Sequence, residues 1–292
     1  MTTEAQTARS NALGIIFMLA GGLCITVQDA ITKLLTEVYP VGETLGYRGL
    51  FTFIAIAFFV WREGNIDCLK VVNFKGQATR AVLAVLSMVF IVSSIRVLPL
   101  ADVIIILFVG PIFATALATP LLGEKVGLRR WAAVGVGFLG VLIMLRPEGF
   151  QFQTLLLLPV VAALLTSFRD ITTRGLHKTE TTISILFWTT VAVTTAGFST
   201  YFYEWKPLQL EHVHLFAAGG ILNGLAHFCM ISAFQHAEVS LVSPFKYANI
   251  IYAVILGYFI WGEVPASHMV MGAALVIIAG FYIMRREARV RG

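Results

Sequence analysis

The chain reads as an all-α membrane protein of ten transmembrane helices arranged as two inverted five-helix repeats, and three observations predict this. First, 58% of its 292 residues are hydrophobic and only 13% are charged, about half the roughly 25% charged content of a soluble domain. Too few charges are left to keep a folded surface of this size in water. Second, at about 20 residues for each crossing of a roughly 30 Å hydrocarbon layer, ten crossings consume most of the chain and leave only short loops. Third, sequence landmarks recur half a chain apart in the same order.

Apolar runs bounded by charges, glycine and proline place the helices in turn. Helix one, near 11–36, follows a polar start (MTTEAQTARS) and is too long for a cleaved leader, so it is expected to stay in the mature protein. Helix two, near 44–62, carries Tyr47-Arg48, and helix three lies near 80–98. Helix four, near 100–121, contains Gly110-Pro111 and closes on Leu121-Leu122-Gly123-Glu124. Helix five, near 128–146, carries Ala133, Gly137 and Gly140. Helix six, near 153–174, holds Pro159 and ends in Arg169-Asp170-Ile171-Thr172-Thr173-Arg174. Helix seven, near 182–203, bears Trp188; helix eight, near 214–235, sets Asn223 and His227 four residues apart on one face. Helix nine, near 239–261, includes Ser243-Pro244-Phe245-Lys246-Tyr247-Ala248-Asn249 and closes on Trp261-Gly262-Glu263, and helix ten, near 266–285, carries Gly272 and Gly280. Connections this short make successive helices antiparallel neighbours and leave no room for a separate soluble domain.

Gln28-Asp29-Ala30-Ile31-Thr32-Lys33 aligns with Arg169 to Arg174, with Asp29 and Asp170 separated by 141 residues. Glu124 and Glu263 are 139 apart, and Gly140 and Gly280 are 140 apart. The expected division is residues 1–150 (helices one to five) and 151–292 (helices six to ten). An odd number of crossings per repeat inverts the second copy, the arrangement of many secondary transporters. The net charge is +5. Fourteen basic residues, Arg62 and Arg80 among them, fall on the side of the N terminus, against Arg96, Arg146 and Lys206 on the other. By the positive-inside rule both termini lie in the cytoplasm, with the bundle in the cell's inner (plasma) membrane. The basic excess is therefore a topology signal, and no nucleic-acid partner is expected. Cys24, Cys68 and Cys229 form no pairable framework and His212-x-His214 lacks further ligands, so neither a metal nor a cofactor is expected.

The paired repeats, the Asp-x-x-x-Lys/Arg endings of helices one and six, Arg48 near the start of helix two, and the Gly-Glu closing helices four and nine together resemble the drug/metabolite transporter superfamily, in its EamA-type ten-helix exporters. The likeness spans nearly the whole chain and includes bacterial exporters of aromatic amino acids, alongside members that handle riboflavin, S-adenosylmethionine or sugars. It implies a central cavity lined by helices one to four and six to nine, with five and ten packed outside. The sequence departs from the family's usual Glu-Pro pair, having Gly110-Pro111 and Asn249-Ile250 there.

Four cations, Lys33, Arg48, Arg169 and Lys246, sit at membrane depth, where a charge costs about 2.5–3.5 kcal/mol on insertion scales and normally faces a cavity or a partner. Lys246, flanked by Phe245, Tyr247 and Asn249 beside a helix-breaking proline, is the first candidate for a substrate carboxylate; snorkelling or a structural ion pair is the other reading. Asp29 and Asp170 stand one turn before Lys33 and Arg174, as i, i+4 pairs. Each is either a structural cap or a desolvated acid that couples proton movement to transport. Gln28 and Arg169 occupy matching positions and break the symmetry; Arg48 and Trp188 do the same, a bidentate carboxylate clamp facing a flat apolar wall. His227 is either a hydrogen-bonded core histidine or a proton-transfer group. The small residues of helices five and ten read as packing within a monomer, with a weak homodimer as the alternative.

The expected protein is a secondary transporter, read as an exporter, of small amphiphilic metabolites, with aromatic or bulky neutral amino acids first, working by alternating access in the lipid bilayer. Import of a metabolite such as S-adenosylmethionine or riboflavin is the second reading. An intramembrane enzyme is the third, and no H-E-x-x-H, G-x-S-x-G or Walker motif nominates a reaction or ATP drive.

Overall fold

The computed structural model describes residues 3–122, 128–145, 154–176, 179–203, 205–237 and 239–291. Its helices are α1 (Thr3–Val38), α2 (Val41–Glu63), α3 (Phe74–Val97), α4 (Leu100–Leu107), α5 (Gly110–Leu122), α6 (Leu128–Met144), α7 (Leu157–Leu176), α8 (Thr182–Ser199), α9 (Leu210–His236), α10 (Val239–Val242), α11 (Ala248–Trp261) and α12 (Ser267–Arg291). Short 3-10 turns cover Ile66–Leu69, Thr154–Leu156 and Ser243–Tyr247. Among the described residues six segments, on α1, α2, α3, α7, α8 and α9, are long and apolar enough to cross a bilayer; four shorter apolar helices accompany them. The molecule is a multi-pass membrane protein.

The expected fourth and ninth helices are each interrupted, for the same reason. Pro111 lacks the N–H that would bond back to Leu107, so α4 ends at Leu107 and α5 starts at Gly110. Pro244 opens the 3-10 turn that separates α10 from α11. The two breaks meet: Phe108 stacks on Tyr247 with centroids 4.8 Å apart and planes at 30°. The third helix begins at Phe74, six residues earlier than expected, because the Asn73 side chain accepts the Gly76 N–H at 3.0 Å and caps it. The segment holding Gly123 and Glu124 lies outside the described residues.

Packing repeats when the halves are exchanged. α1 lies on α9 as α7 lies on α3; α1 touches α11 as α7 touches α4 and α5; α2–α8, α4–α11 and α6–α12 pair across the axis. Even the clamps correspond. Near the start of α2, Glu43 accepts the Lys206 N–H of the α8–α9 loop at 3.0 Å. Just before α8, Glu180 accepts the Val72 and Asn73 N–H groups of the α2–α3 loop at 2.8 and 2.7 Å.

Small residues set the closest contacts. A Cβ on Gly197 of α8 would stand 2.5 Å from the Gly46 nitrogen and 2.7 Å from the Gly42 oxygen of α2, so only glycine lets these backbones touch. A Cβ on Gly140 of α6 would stand 2.8 Å from the Gly272 oxygen of α12. The small residues expected in helices five and ten are thus spent within the chain, joining α6 to α12. The main buried cluster, Val103 to Ile106 with Ile112, Met144, Ala253 and Val276, fills the space between α4, α6, α11 and α12.

Candidate functional site

Two adjoining chambers lie between α1, α2, α3, α7, α8 and α9. The inner chamber, about 180 Å³, is lined by Arg48, Arg80, Arg169, His227, Asn223 and a wall of threonines that includes Thr52, Thr173, Thr189 and Thr190. The outer one, about 440 Å³, is lined by Phe17, Phe59, Phe228, Ile231, His236 and the exposed pair Arg62 and Glu63. Thr182, Leu186 and His227 belong to both, so the two adjoin. The outer chamber opens at the face where α1 begins: Ser10 of α1 donates to the His236 carbonyl at the end of α9, at 2.6 Å. Among the described residues neither α6 nor α12 contributes to either wall, as the resemblance implied for helices five and ten; α4, α5, α10 and α11 contribute nothing either, whereas it implied lining by helices four and nine.

Aromatic rings shape the outer chamber. Phe59 and Phe228 are stacked, 5.5 Å apart at 13°, Phe17 meets Phe228 edge-on at 6.4 Å, and the Arg62 guanidinium lies 5.3 Å from the Phe228 centroid. This is a slot for a flat apolar body. Polar groups shape the inner chamber. Arg48 is buried and donates to Thr32 Oγ1 at 3.1 Å. Arg80 donates through Nε to Thr173 Oγ1 at 2.7 Å and through Nη1 to Thr189. Arg169 donates to the adjacent Asp170 at 3.1 Å. Asp29 faces Arg48, while Asp170 faces Arg80 and Lys246. Among these described groups four cations are set against two carboxylates, an excess of positive charge at membrane depth.

The structure distributes the other expected site residues around this chamber. Gln28 donates to Asp29 Oδ1 at 3.1 Å and to Thr32 at 3.0 Å. His227 sits at the junction of the chambers with Nδ1 2.8 Å from the Asn223 carbonyl. Lys246 is on the 3-10 turn, Phe245 packs against Met18 and Val242, and Asn249 packs against Gly22 of α1. None of Lys246, Phe245, Tyr247 or Asn249 is among the residues lining either chamber. Nor is Trp188, which is 39% exposed and donates to the Leu69 carbonyl at 3.0 Å.

Three findings correct the sequence reading. Lys33 does not pair with Asp29 one turn away: it forms an ion pair with Glu263 and donates to the Leu98 carbonyl at 2.9 Å. Asp170 pairs with Arg169, the residue before it; the Arg174 side chain lies outside the described residues. Arg80, counted among the loop cations, is a cavity residue, because the early start of α3 draws it six residues into the helix. Its signal was the Asn73-x-x-Gly76 cap. The threonines Thr173, Thr189 and Thr190 were missed as well, though their hydroxyls satisfy backbone carbonyls one turn back and so survive in an apolar span, at 2.7, 2.6 and 2.9 Å.

At the opposite face the helix ends are tied together. Glu263 accepts from Lys33 at one oxygen and from the Leu100 N–H at the other, at 2.9 Å. Trp261 donates to Glu37 at 2.7 Å, and Tyr39 bonds His212 at 2.9 Å above the Tyr47–Phe198–Trp205–Phe216 ring cluster. Gly262, at φ 70°, turns the chain so that Glu263 reaches back toward α1.

Paired five-helix halves around a central polar cavity define the architecture of a membrane transporter. The chain belongs to the EamA-like transporter family, whose pattern matches it twice, over residues 12–146 and 153–285. It is 29% identical over 298 residues to a riboflavin transporter of Rhizobium johnstonii, covering 99% of this chain and 96% of that one. It is 25% identical to an S-adenosylmethionine uptake transporter of Rickettsia prowazekii, covering 94% of each. A pseudopaline exporter of Pseudomonas aeruginosa is 21% identical, covering 94% of this chain and 96% of that one. A solved structure shares the fold at 17% identity with a TM-score of 0.64, covering 96% of this chain and 97% of the other.

Proposed function

We propose that the protein is a secondary transporter, and not an enzyme, for small amphiphilic metabolites that combine an anionic or zwitterionic head with a flat, largely apolar body. The observation that carries this is the two-part cavity. Arg48, Arg80 and Arg169 give the inner chamber a surplus of positive charge, and the chamber opens through the Phe17–Phe59–Phe228 slot. A carboxylate entering the inner chamber offsets that charge where water is scarce, while the rings hold the body. Aromatic amino acids fit this description, and so do heteroaromatic metabolites with polar tails. The threonine wall favours one second reading, a substrate rich in hydroxyl groups, and the relatives named as riboflavin transporters point the same way.

The halves, residues 1–150 and 151–292, are proposed to rock about the cavity. The excess of basic residues on the N-terminal side supports both termini lying in the cytoplasm of an inner (plasma) membrane. The open outer chamber then faces the cytoplasm and loads from it, which supports export. The test is counterflow in liposomes with labelled phenylalanine, tryptophan, S-adenosylmethionine, riboflavin and its phosphate ester. Saturable exchange of a carboxylate- or phosphate-bearing compound supports the reading; exchange of riboflavin alone replaces it with the hydroxyl reading, and product formation without net movement overturns both.

Lys246 keeps a proposed role through Asp170. Lys246→Ala is expected to lower the exchange rate roughly fivefold, the equivalent of about 1 kcal/mol for a partly buried charge pair. Initial rates at saturating substrate check this, and an unchanged rate removes Lys246 from the site.

A further inference from the structure

Asp102 belongs to no chamber and to none of the motifs singled out from the sequence, yet it stands in the latch that seals the far face. It lies in the first turn of α4, two residues after Leu100, whose N–H is held by Glu263. The charges that act on it electrostatically are the two partners of that latch, Glu263 and Lys33. Among the described residues, the other ionisable groups near this end of the packed helices include Glu37 of α1, taken by the Trp261 indole, Arg96 of α3, which is exposed, His212 of α9, bonded to Tyr39, and His268 of α12.

Among the described residues the latch has one cation for two carboxylates. Lys33 and Glu263 are 8% and 17% exposed. The Lys33 ammonium is fully engaged: it donates to Glu263, donates to the Leu98 carbonyl, and faces the Trp261 ring at 4.8 Å. Glu263 is satisfied as an anion at both oxygens. No donor is left for Asp102, whose Oδ1 is buried and accepts no hydrogen bond among the described residues. An ionised carboxylate in that position holds one oxygen buried without a hydrogen bond, against the attraction of a single ammonium that Glu263 already engages.

We infer that the Asp102 carboxyl is a proton-binding site that closes the far face: Lys33 serves Glu263 only while Asp102 holds a proton. On closure one proton passes from far-side water to the Asp102 carboxylate, and Glu263 exchanges water for Lys33 and the Leu100 N–H. On opening Glu263 returns to water, Asp102 gives its proton back to far-side water, and Lys33 turns to the Asp102 carboxylate. The closed state binds one more proton than the open one, so acid on the far side favours closure. This rests on the alternating-access reading but not on any choice of substrate.

The test reads the latch with no substrate present. Spin labels are placed on the full-length chain at Leu210→Cys and Val264→Cys, two exposed far-face positions, with Cys24, Cys68 and Cys229 changed to alanine, and distances are measured in liposomes from pH 8 to pH 5. In the Asp102 protein the closed-to-open ratio is expected to rise as pH falls, by up to about tenfold per unit, the limit for one proton. Asp102→Asn is expected to hold the closed distance at every pH, and Asp102→Glu, which restores a titratable carboxyl, to recover the pH dependence. A pH-independent distance in the Asp102 protein overturns the proposal, as does unaltered pH dependence in Asp102→Asn. If the pH response follows Asp102 while no compound exchanges, the proton site stands and the substrate reading fails.

Discussion

Replacing Arg80 with alanine is expected to cut substrate exchange by roughly 10- to 150-fold, corresponding to about 1.5–3 kcal/mol for a lost hydrogen bond to a charged group in a desolvated chamber. Arg80 holds Thr173 of α7 and Thr189 of α8 at once, and its guanidinium adds to the positive charge lining the chamber. Lysine is expected to recover only part of the rate, because one ammonium does not reproduce the planar fork that reaches two hydroxyls and still presents N–H groups to a ligand. Exchange rates in liposomes, set against the amount of monodisperse protein reconstituted, check the prediction. Wild-type exchange in Arg80→Ala would show that the arginine only props α3 against α7 and α8, and would take the anion-binding reading down with it.

The second large effect is on folding. Gly197→Leu is expected to prevent the α2–α8 contact, because its Cβ would stand 2.5 Å from the Gly46 nitrogen and 2.7 Å from the Gly42 oxygen, both backbone atoms with no flexible end to swing aside. Overpacking commonly costs about 1–3 kcal/mol, and a clash with backbone falls at or above the top of that range. The expected outcome is loss of the monodisperse peak in size-exclusion chromatography and of most of the protein from the membrane fraction. Gly135→Leu is the control: Gly135 is an exposed glycine of α6 with nothing within 4 Å of its added Cβ, and it should leave both measurements unchanged. A folded Gly197→Leu protein would mean that α2 and α8 separate freely and that their contact does not hold the halves together.

How far the sequence could be read varies with the range of the interaction. The apolar helices follow from hydrophobic runs along the chain, and the breaks at Pro111 and Pro244 follow from the missing N–H of proline; both are local properties. Arg48 and Arg169 were legible because a cation in an apolar run is conspicuous wherever its partner lies. Arg80 was not, since in the linear chain it looks like the last charge of a loop; a capping hydrogen bond at Asn73 lengthens the helix and moves it indoors. The Lys33–Asp29 expectation failed for a related reason. A neighbour one turn away offers a weak, solvent-screened attraction. Glu263, 230 residues distant, comes with the Leu98 carbonyl and the Leu100 N–H, so both charges are satisfied away from water.

The sequence by itself determined that this protein lives in a bilayer, that it is built from a duplicated five-helix unit, and which cations stand at depth; each is decided by composition or by the repetition of short segments along the chain. Only the tertiary structure decided that the cavity opens at the face where α1 begins, that three arginines and a threonine wall share one chamber, and that Lys33, Glu263 and Asp102 meet at the opposite end. Those groups come from helices far apart in the chain, and a desolvated charge takes whichever partner the packing of backbones brings within reach, a choice that no local pattern encodes.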